Sequence, residues 1–532
     1  MPGAAELARA LRSGGLDTTR PIGRFPQASE KALSRAAEET ENLDELWFRL
    51  ESIPPTVATP GSTEGGRPLA KRAIPVYVLL LVTAIACTDG ESPTAVAVET
   101  GPISAAEGTT STVPDRPSAT VTTTESALST SRSDLAPQDV SCDGPIRVGV
   151  MTDLTGALSI YGAHIMRSFP LGMEYATGAP GEDDTYVLGD CPIQVTYLDD
   201  RSDTEAAITM ARELIDIHGA DIIVGSVSPQ VTAGIQELAL QNDVVHIATP
   251  TSANSVTGAT FNPNSFRTSR NTYQDAVSLC RYLSTKHDTY VQIAPDYADG
   301  REGARILRDA CTLVGAEFIG DDILAPLDTT DFTPYLEPVL DSGADAWIVS
   351  WAGGGFIPMM EAAASLDLRD QTAVGTRFLD NALMPVFFAD LLGTTSGIAY
   401  HYTLPDNEIN DWLVARTLES SNTHPDLFDA DGMNAALLIV EALEVTRGDA
   451  TAEALRSAME GLAFRGPKGE IEIRAEDHVA IQDMYIATLQ NLDDPESKFF
   501  ELVDVNRPIV PCLLRGEYAD RCGDLPVDRA DD

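Results

Sequence analysis

From residue 142 onward, short runs rich in apolar and β-branched residues alternate with longer stretches whose apolar positions recur at helical spacing. Residues 146–151 read as a strand, and 162–177 as a helix that Pro170 should kink. Residues 193–198 form the next strand, and 204–217 a helix capped by Ser202 or Asp203. The series continues with strand 222–224, helix 229–241, strand 244–248, helix 272–286, strand 290–294 and helix 301–314. Strand 317–323, helix 333–342, strand 346–351 and helix 356–366 follow. Such alternation implies parallel sheets covered by helices on both faces. The strands are too many for one doubly wound unit, so the pattern predicts an α/β chain of two lobes.

Upstream the pattern is different. Residues 73–86 are almost wholly apolar, with Lys71-Arg72 before them and Cys87 after. A spanning helix needs roughly 20 apolar residues, and this run is shorter. A basic flank, an apolar centre and a small-residue exit are the parts of an export signal. A signal anchor or a plain secretory signal has the same parts. Residues 88–141 are rich in Ser, Thr, Pro and Ala, have no apolar period, and read as a flexible linker. An export signal belongs at an N-terminus, yet some seventy residues precede this one, and no Met lies between Met1 and Met151. Two readings follow: residues 1–68 are a mis-called upstream extension with translation starting near Leu69, or they are a cytoplasmic extension with a short amphipathic helix at 38–51.

Composition narrows the function classes. The chain has 532 residues, 43% hydrophobic and 6% aromatic, which suffices for two cores. Its formal net charge of -45 should repel nucleic acid and anionic lipid, so no nucleic-acid partner is expected. The acidity reads as a solvated surface or as ligand steering. The seven His are scattered, and neither HExxH, GxSxG, a P-loop nor a zinc-like CxxC pair is present. No enzyme activity, cofactor or metal is expected. Six of the seven Cys lie from Cys142 onward, an even set that suits an oxidising compartment and leaves fifteen pairings open.

Several segments in order resemble a known family. They are Leu154-Thr-Gly-Ala-Leu-Ser-Ile-Tyr-Gly162, Leu198-Asp-Asp-Arg-Ser-Asp-Thr-Glu-Ala-Ala207 and Val224-Gly-Ser-Val-Ser-Pro-Gln-Val-Thr232, then Phe266-Arg-Thr268, Asp331-Phe332 and the closing segment 466–478. Over about 145–490 the chain resembles the type I periplasmic-binding fold in its branched-chain amino acid and amide subgroup. Likewise, Ala84-Ile85-Ala86-Cys87 resembles the bacterial lipobox, which implies lipidation at Cys87. The resemblance implies two lobes, each a mainly parallel sheet flanked by helices, with three hinge crossovers near 268–271, 397–404 and 464–477. Lobe one would hold 142–268 and 405–465, lobe two 272–396 and 478–510, with 511–532 as a tail. It implies a non-enzymatic, lipid-anchored, extracytoplasmic protein that captures a small polar solute by clamshell closure and passes it to an ABC transporter permease. A ligand-sensing receptor subunit is the alternative.

The ligand would lie between the lobes at the carboxyl ends of strands, where open α/β sheets bind. The family has a Ser where this chain has Pro229, so the role passes to Ser228, which is also a good helix N-cap. Thr251 and Ser252 match small donors of the fourth loop or are turn formers. Tyr161 matches an aromatic at the cleft mouth or is packing. In lobe two, Asp299 stands where amino acid binders carry an aromatic, with Tyr297 two residues earlier. Asp299 either pairs with a ligand cation or is a solvated turn acid. Trp351 or Phe356 could cover the ligand, beside glycines that allow close backbone approach. Arg377 stands where an acid would grip an amino group, and Asn434 where the family often has Tyr. The same map pairs Cys142 with Cys191, Cys280 with Cys311 and Cys512 with Cys522. Two buried free thiols are the alternative for the middle pair.

Overall fold

The computed structural model describes residues 140–527, except 157, 352–354 and 509, and does not describe the side chains of 298, 299 and 390. The leader, its Cys87 and most of the linker expected upstream lie outside the described residues. The first sheet starts with β1 (Ile146–Thr152), whose chain continues into helix α1 (Ser159–Thr177). Next come β2 (Thr185–Leu188), β3 (Cys191–Asp199), α2 (Thr204–Asp216), β4 (Ile222–Val224), α3 (Pro229–Gln241), β5 (Val245–Ala248) and β6 (Ser265–Arg267). The strand order is β2-β3-β1-β4-β5-β6, parallel throughout except for the β2–β3 hairpin. Strands β4, β5 and β6 are buried at every position, as parallel strands between two helix layers must be.

The chain leaves this sheet through 268–271 and enters α4 (Thr272–Leu283), which opens with a capping box between Asn271 and Gln274. The second sheet holds β7 (Thr289–Pro295), β8 (Glu317–Phe318), β9 (Ile323–Ala325), β10 (Ala346–Val349) and β11 (Ala373–Gly375), all parallel. Between them run α5 (Ala298–Leu313), α6 (Thr333–Ser342) and α7 (Phe356–Ser365), and after them the short α8 (Met384–Phe387). Strand β12 (Thr395–Ile398) follows, and the Phe378 N–H, just after β11, donates to the Gly397 carbonyl at 2.8 Å.

A second crossover returns the chain to the first sheet as α9 (Glu408–Ser421), α10 (Asp429–Thr446) and α11 (Ala452–Met459). Helix α10 lies along α1, and a Cβ added to Gly172 would stand 2.8 Å from Ala436 Cβ, so the glycine sets the approach. Nearly every residue of α10 up to Leu443 is buried, which makes it a core helix, apolar all round. The third crossover is a small antiparallel sheet of β13 (Ala463–Gly466), β14 (Gly469–Ile473) and β15 (Ala480–Ile481). It leads into β16 (Met484–Leu489) and β17 (Phe500–Asn506), which pair antiparallel beside β12. The first and third crossovers are bonded together: Gln482 Nε2 donates to the Thr268 carbonyl at 3.1 Å, and the His478 ring stacks on Phe266 at 4.0 Å.

Two sequence expectations are corrected. Helix α1 begins at Ser159, earlier than 162, because the Tyr161 and Gly162 N–H groups already donate to the Leu158 carbonyl. As expected, it runs on through Pro170 to Thr177, with its Phe169 and Gly172 face held in the core. The strand expected over 317–323 is two strands: Gly320 takes φ 71 and turns the chain, and Arg308 bonds Asp322 and the Gly320 carbonyl to hold that turn. Other helix and strand ends move by a few residues. Disulfides join Cys142–Cys191, Cys280–Cys311 and Cys512–Cys522, with Cα–Cα distances of 5.4, 5.0 and 5.7 Å.

Candidate functional site

The loops after β1, β3 and β4 are tied together by three acids. Asp153 accepts from the Leu158 N–H and the Ser202 hydroxyl, at 2.7 and 2.8 Å. Asp199 accepts from the Leu154 N–H and the Thr155 hydroxyl. Asp200 is fully buried and accepts from Ser226 Oγ at 2.6 Å; burial holds its carboxyl up at about 6. The Asp199-Asp200 pair is thus occupied in stitching loops, as a turn at a helix start. Gly225 is required in the third loop, because at φ 137 a Cβ would stand 2.0 Å from the Met151 carbonyl oxygen. Ser228 caps α3: its Oγ accepts from the Val231 N–H at 3.5 Å and bonds Gln230 at 3.2 Å.

The fourth loop is anchored through its backbone, which leaves side chains at the strand ends. The Thr251 carbonyl accepts from Arg267 and from Ser269 Oγ, and the Ser252 carbonyl accepts from the Thr272 N–H and hydroxyl. Thr251 Oγ1 accepts a long bond from Ala253, whereas Ser252 Oγ makes no hydrogen bond among the described residues.

From the second sheet comes a cationic group. Arg377, whose side chain is 33% exposed, pairs with Asp275 in the first turn of α4. Asp275 also takes Arg270 Nε at 3.3 Å, so two guanidinium groups share one carboxylate. Arg270 lies 5.1 Å over the Phe428 ring, and Phe428 meets Tyr161 edge to face at 5.1 Å. Tyr161 is half-buried between the two lobes. Burial first, then the nearby Asp380 carboxylate, pushes its phenol far above the ordinary range, while Arg377 and Arg270 oppose this. Its hydroxyl makes no hydrogen bond among the described residues.

Asp380 and Asp426 both act electrostatically on Tyr161. The Asn381 N–H donates to Asp426 Oδ2 at 2.8 Å, a direct bond from the loop after β11 to the segment before α10. Burial lifts Asp380 to about 6; burial and then the Asp380 charge lift Asp426 to about 7. Behind them Arg167 forms a two-pronged pair with buried Asp429. At the crossovers, burial lowers Arg267 to about 9 and Lys468 to about 8, and raises Asp431 to about 6.

Tyr161 and Arg377 are therefore brought together. Trp351 is buried within its own sheet's layer, edge on to Phe332 at 5.1 Å, with no partner for its indole N–H among the described residues. Phe356 packs on Phe388 at 5.5 Å. Tyr297 is the N-cap residue of α5, and Asp299 lies in that helix's first turn, its side chain outside the description. Asn434 is wholly buried on α10, where its Oδ1 would lie 2.0 Å from a Cβ on Gly466. Sequence reading missed Arg270, Asp275, Asp380, Asp426 and Phe428. A faint signal existed: Arg270 ends the first crossover, and Asp426, Asp429 and Asp431 form an unusually acidic entry to an apolar helix. Among the described residues, no group of three or more His, Cys, Asp or Glu is placed to hold a metal ion, and no helix is long and apolar enough to cross a membrane.

Comparison with known proteins agrees with this architecture. A family model described as periplasmic binding protein matches residues 145–494. A curated relative from Brucella melitensis, Leu/Ile/Val-binding protein homolog 6, is 23% identical over 359 residues, covering 66% of this chain and 88% of its own. The crystal structure of an ABC-type branched-chain amino acid transporter protein from Rhodopseudomonas palustris is 30% identical, with a TM-score of 0.61, and covers 68% of this chain and 96% of that one. A solute-binding protein of an ABC transporter from the same genus and species, solved with 3,4-dihydroxybenzoic acid, shares the fold at 22% identity and a TM-score of 0.56, over 68% of this chain and 97% of that one. With parallel sheets joined by three crossovers and strand-end loops converging between them, the chain belongs to the periplasmic binding protein family.

Proposed function

We propose that this protein is the extracytoplasmic solute-binding component of an ABC transporter and that its solute carries a carboxylate. The observation that supports the anionic ligand is the pair Arg270 and Arg377, which among the described residues share the single carboxylate of Asp275 as their ion-pair partner. Arg377 is the accessible member, and Arg is suited to carboxylate by its planar fork of donors. Ser252 Oγ, Thr251 and the Tyr161 hydroxyl supply further polar contacts, and Tyr297 contributes from the second lobe. Ser228 acts through the helix start it caps, and Asn434 through packing at the third crossover. Residues 142–268 and 405–465 form the first lobe, and 272–396 and 478–510 the second. Solute contacts from both lobes stabilise the closed form, which docks on a permease. Three disulfides agree with an oxidising compartment, and Cys87 is the lipid anchor at the end of the linker.

Thermal unfolding of the protein against L-leucine, benzoate, 4-hydroxybenzoate, acetamide and urea tests this. A ligand that binds only the folded state raises the midpoint in a dose-dependent way. One or more carboxylates should do so, and Arg377→Gln should weaken that response by ten-fold or more. A response to amides alone, or one that Arg377→Gln leaves intact, refutes carboxylate capture.

A further inference from the structure

Resting on the two-lobe reading above, we propose that residues 510–527 act as a clasp that spans both lobes and holds them in the arrangement where Asn381 of one bonds Asp426 of the other. The family match ends at residue 494, so this segment lies beyond it. On the side of the second lobe, Val510 and Leu513 share an apolar cluster with Tyr273 and Val277 of α4 and Ala310 of α5. On the side of the first, Cys512, Leu514 and Cys522 cluster with Phe261. The Phe261 ring meets Tyr518 edge on at 5.1 Å and lies 5.3 Å from the Arg521 guanidinium. Leu513 is common to both sides, since a Cβ on Gly258 of the first lobe would stand 3.1 Å from its own Cβ.

The clasp is also bonded to the third crossover, and the bonds run both ways. Arg474 of the crossover donates to the Val510 and Pro511 carbonyls at 2.8 and 3.4 Å. Arg521 of the clasp donates to the Glu476 and Ala475 carbonyls at 2.8 and 2.7 Å, and to Glu460 at the end of α11 at 2.8 Å. The crossover turns here with His478 at φ 61, an uncommon conformation for a residue other than glycine. Lobe rotation is absorbed by φ/ψ changes at a few such connecting residues. Charge-assisted bonds that fix 474–476 take that freedom from one of the three crossovers. The Cys512–Cys522 bridge, with the Cys512 N–H donating to the Pro526 carbonyl at 2.7 Å, closes the clasp into a preformed loop, so little entropy is lost when it seats. Its two apolar seats belong to different lobes. A rotation of one lobe against the other therefore breaks contacts on one side, and the clasp weights the equilibrium towards the closed form.

Hydrogen exchange on the full chain without solute tests this, read at single residues by mass spectrometry with electron-transfer fragmentation. The Asn381 amide, whose bond crosses between the lobes, reports their separation, while the amides of β4 inside the first lobe report unfolding. Leu513→Asp combined with Arg521→Gln should speed exchange at Asn381 at least five-fold and leave β4 within two-fold of the parent. Tyr518→Ala combined with Arg521→Gln, which alters only partly exposed side chains, serves if the first variant does not fold, as judged by circular dichroism. Exchange at Asn381 that stays at the parent rate in a folded variant, or that rises only in step with β4, overturns the clasp. Because no solute is present, a failure to find a carboxylate ligand would count against the transport reading alone and leave this result to stand or fall by itself.

Discussion

Removing the Cys142–Cys191 bridge is a perturbation whose size follows from the chain's own geometry. The bridge ties the segment before β1 to the first residue of β3 and spans 49 residues. Loop-closure entropy for a cross-link of that span is worth about 4 kcal/mol, against about 2.7 kcal/mol for the 10-residue Cys512–Cys522 loop. Surroundings widen the gap. Cys191 is fully buried in the main core and abuts Gly448, where an added Cβ would stand 3.0 Å from its Sγ. Cys512 and Cys522 belong to a small satellite cluster with Phe261 and Leu514. Without the first bridge, residues 140–142 keep the buried Val140 side chain and backbone bonds such as Asp190 N–H to the Val140 carbonyl at 3.1 Å and Ser141 N–H to the Arg447 carbonyl at 3.3 Å. These are too few to replace the covalent tie. Cys142→Ala with Cys191→Ala should therefore lower the urea-unfolding free energy by about 4 kcal/mol, clearly more than Cys512→Ala with Cys522→Ala. Equilibrium urea titrations of the ligand-free chain, followed by circular dichroism, give both numbers. A first double variant that costs under about 1 kcal/mol, or less than the second, would refute the loop-entropy reasoning.

Ser228→Ala removes the α3 cap and should cost about 1 kcal/mol of stability while leaving solute affinity within two-fold, since the hydroxyl is already engaged with Val231 and Gln230. A large affinity loss at unchanged stability would instead make Ser228 a ligand contact. Glu460 provides a pH test. The His478 bond first, and the Arg521 bond as well, lower its carboxyl to about 2 from an ordinary 4.5. A depressed carboxylate binds fewer protons folded than unfolded, so its stabilisation is complete above about 4.5 and is lost as pH falls towards about 2. Glu460→Gln should therefore lower the urea midpoint at pH 6, with the gap to the parent closing by pH 2; a gap constant with pH would refute the assignment.

How much was legible without the structure differs by element. The βα alternation was read because apolar periodicity is local, and parallel strands buried on both faces carry continuous apolar runs such as Ile222-Ile-Val224. Misreadings came where a tertiary contact overrode a local rule. The run 317–323 breaks at Gly320 because Arg308, from the preceding helix, holds that turn.

The candidate site divides in the same way. Loop residues such as Tyr161, Ser228, Thr251 and Ser252 could be found in the linear order, since strand ends in an α/β chain announce where ligands bind. By itself the sequence determined the fold class, the strand-end loops, the cysteine set and the absence of familiar catalytic motifs. Only tertiary structure decided which charges meet. Arg377 reaches Asp275 across 102 residues, and Asn381 reaches Asp426 across 45. Whether a charged side chain is a solvated surface group or one member of a buried pair depends on its desolvation and on its neighbours in space, and neither is written in the spacing of the chain.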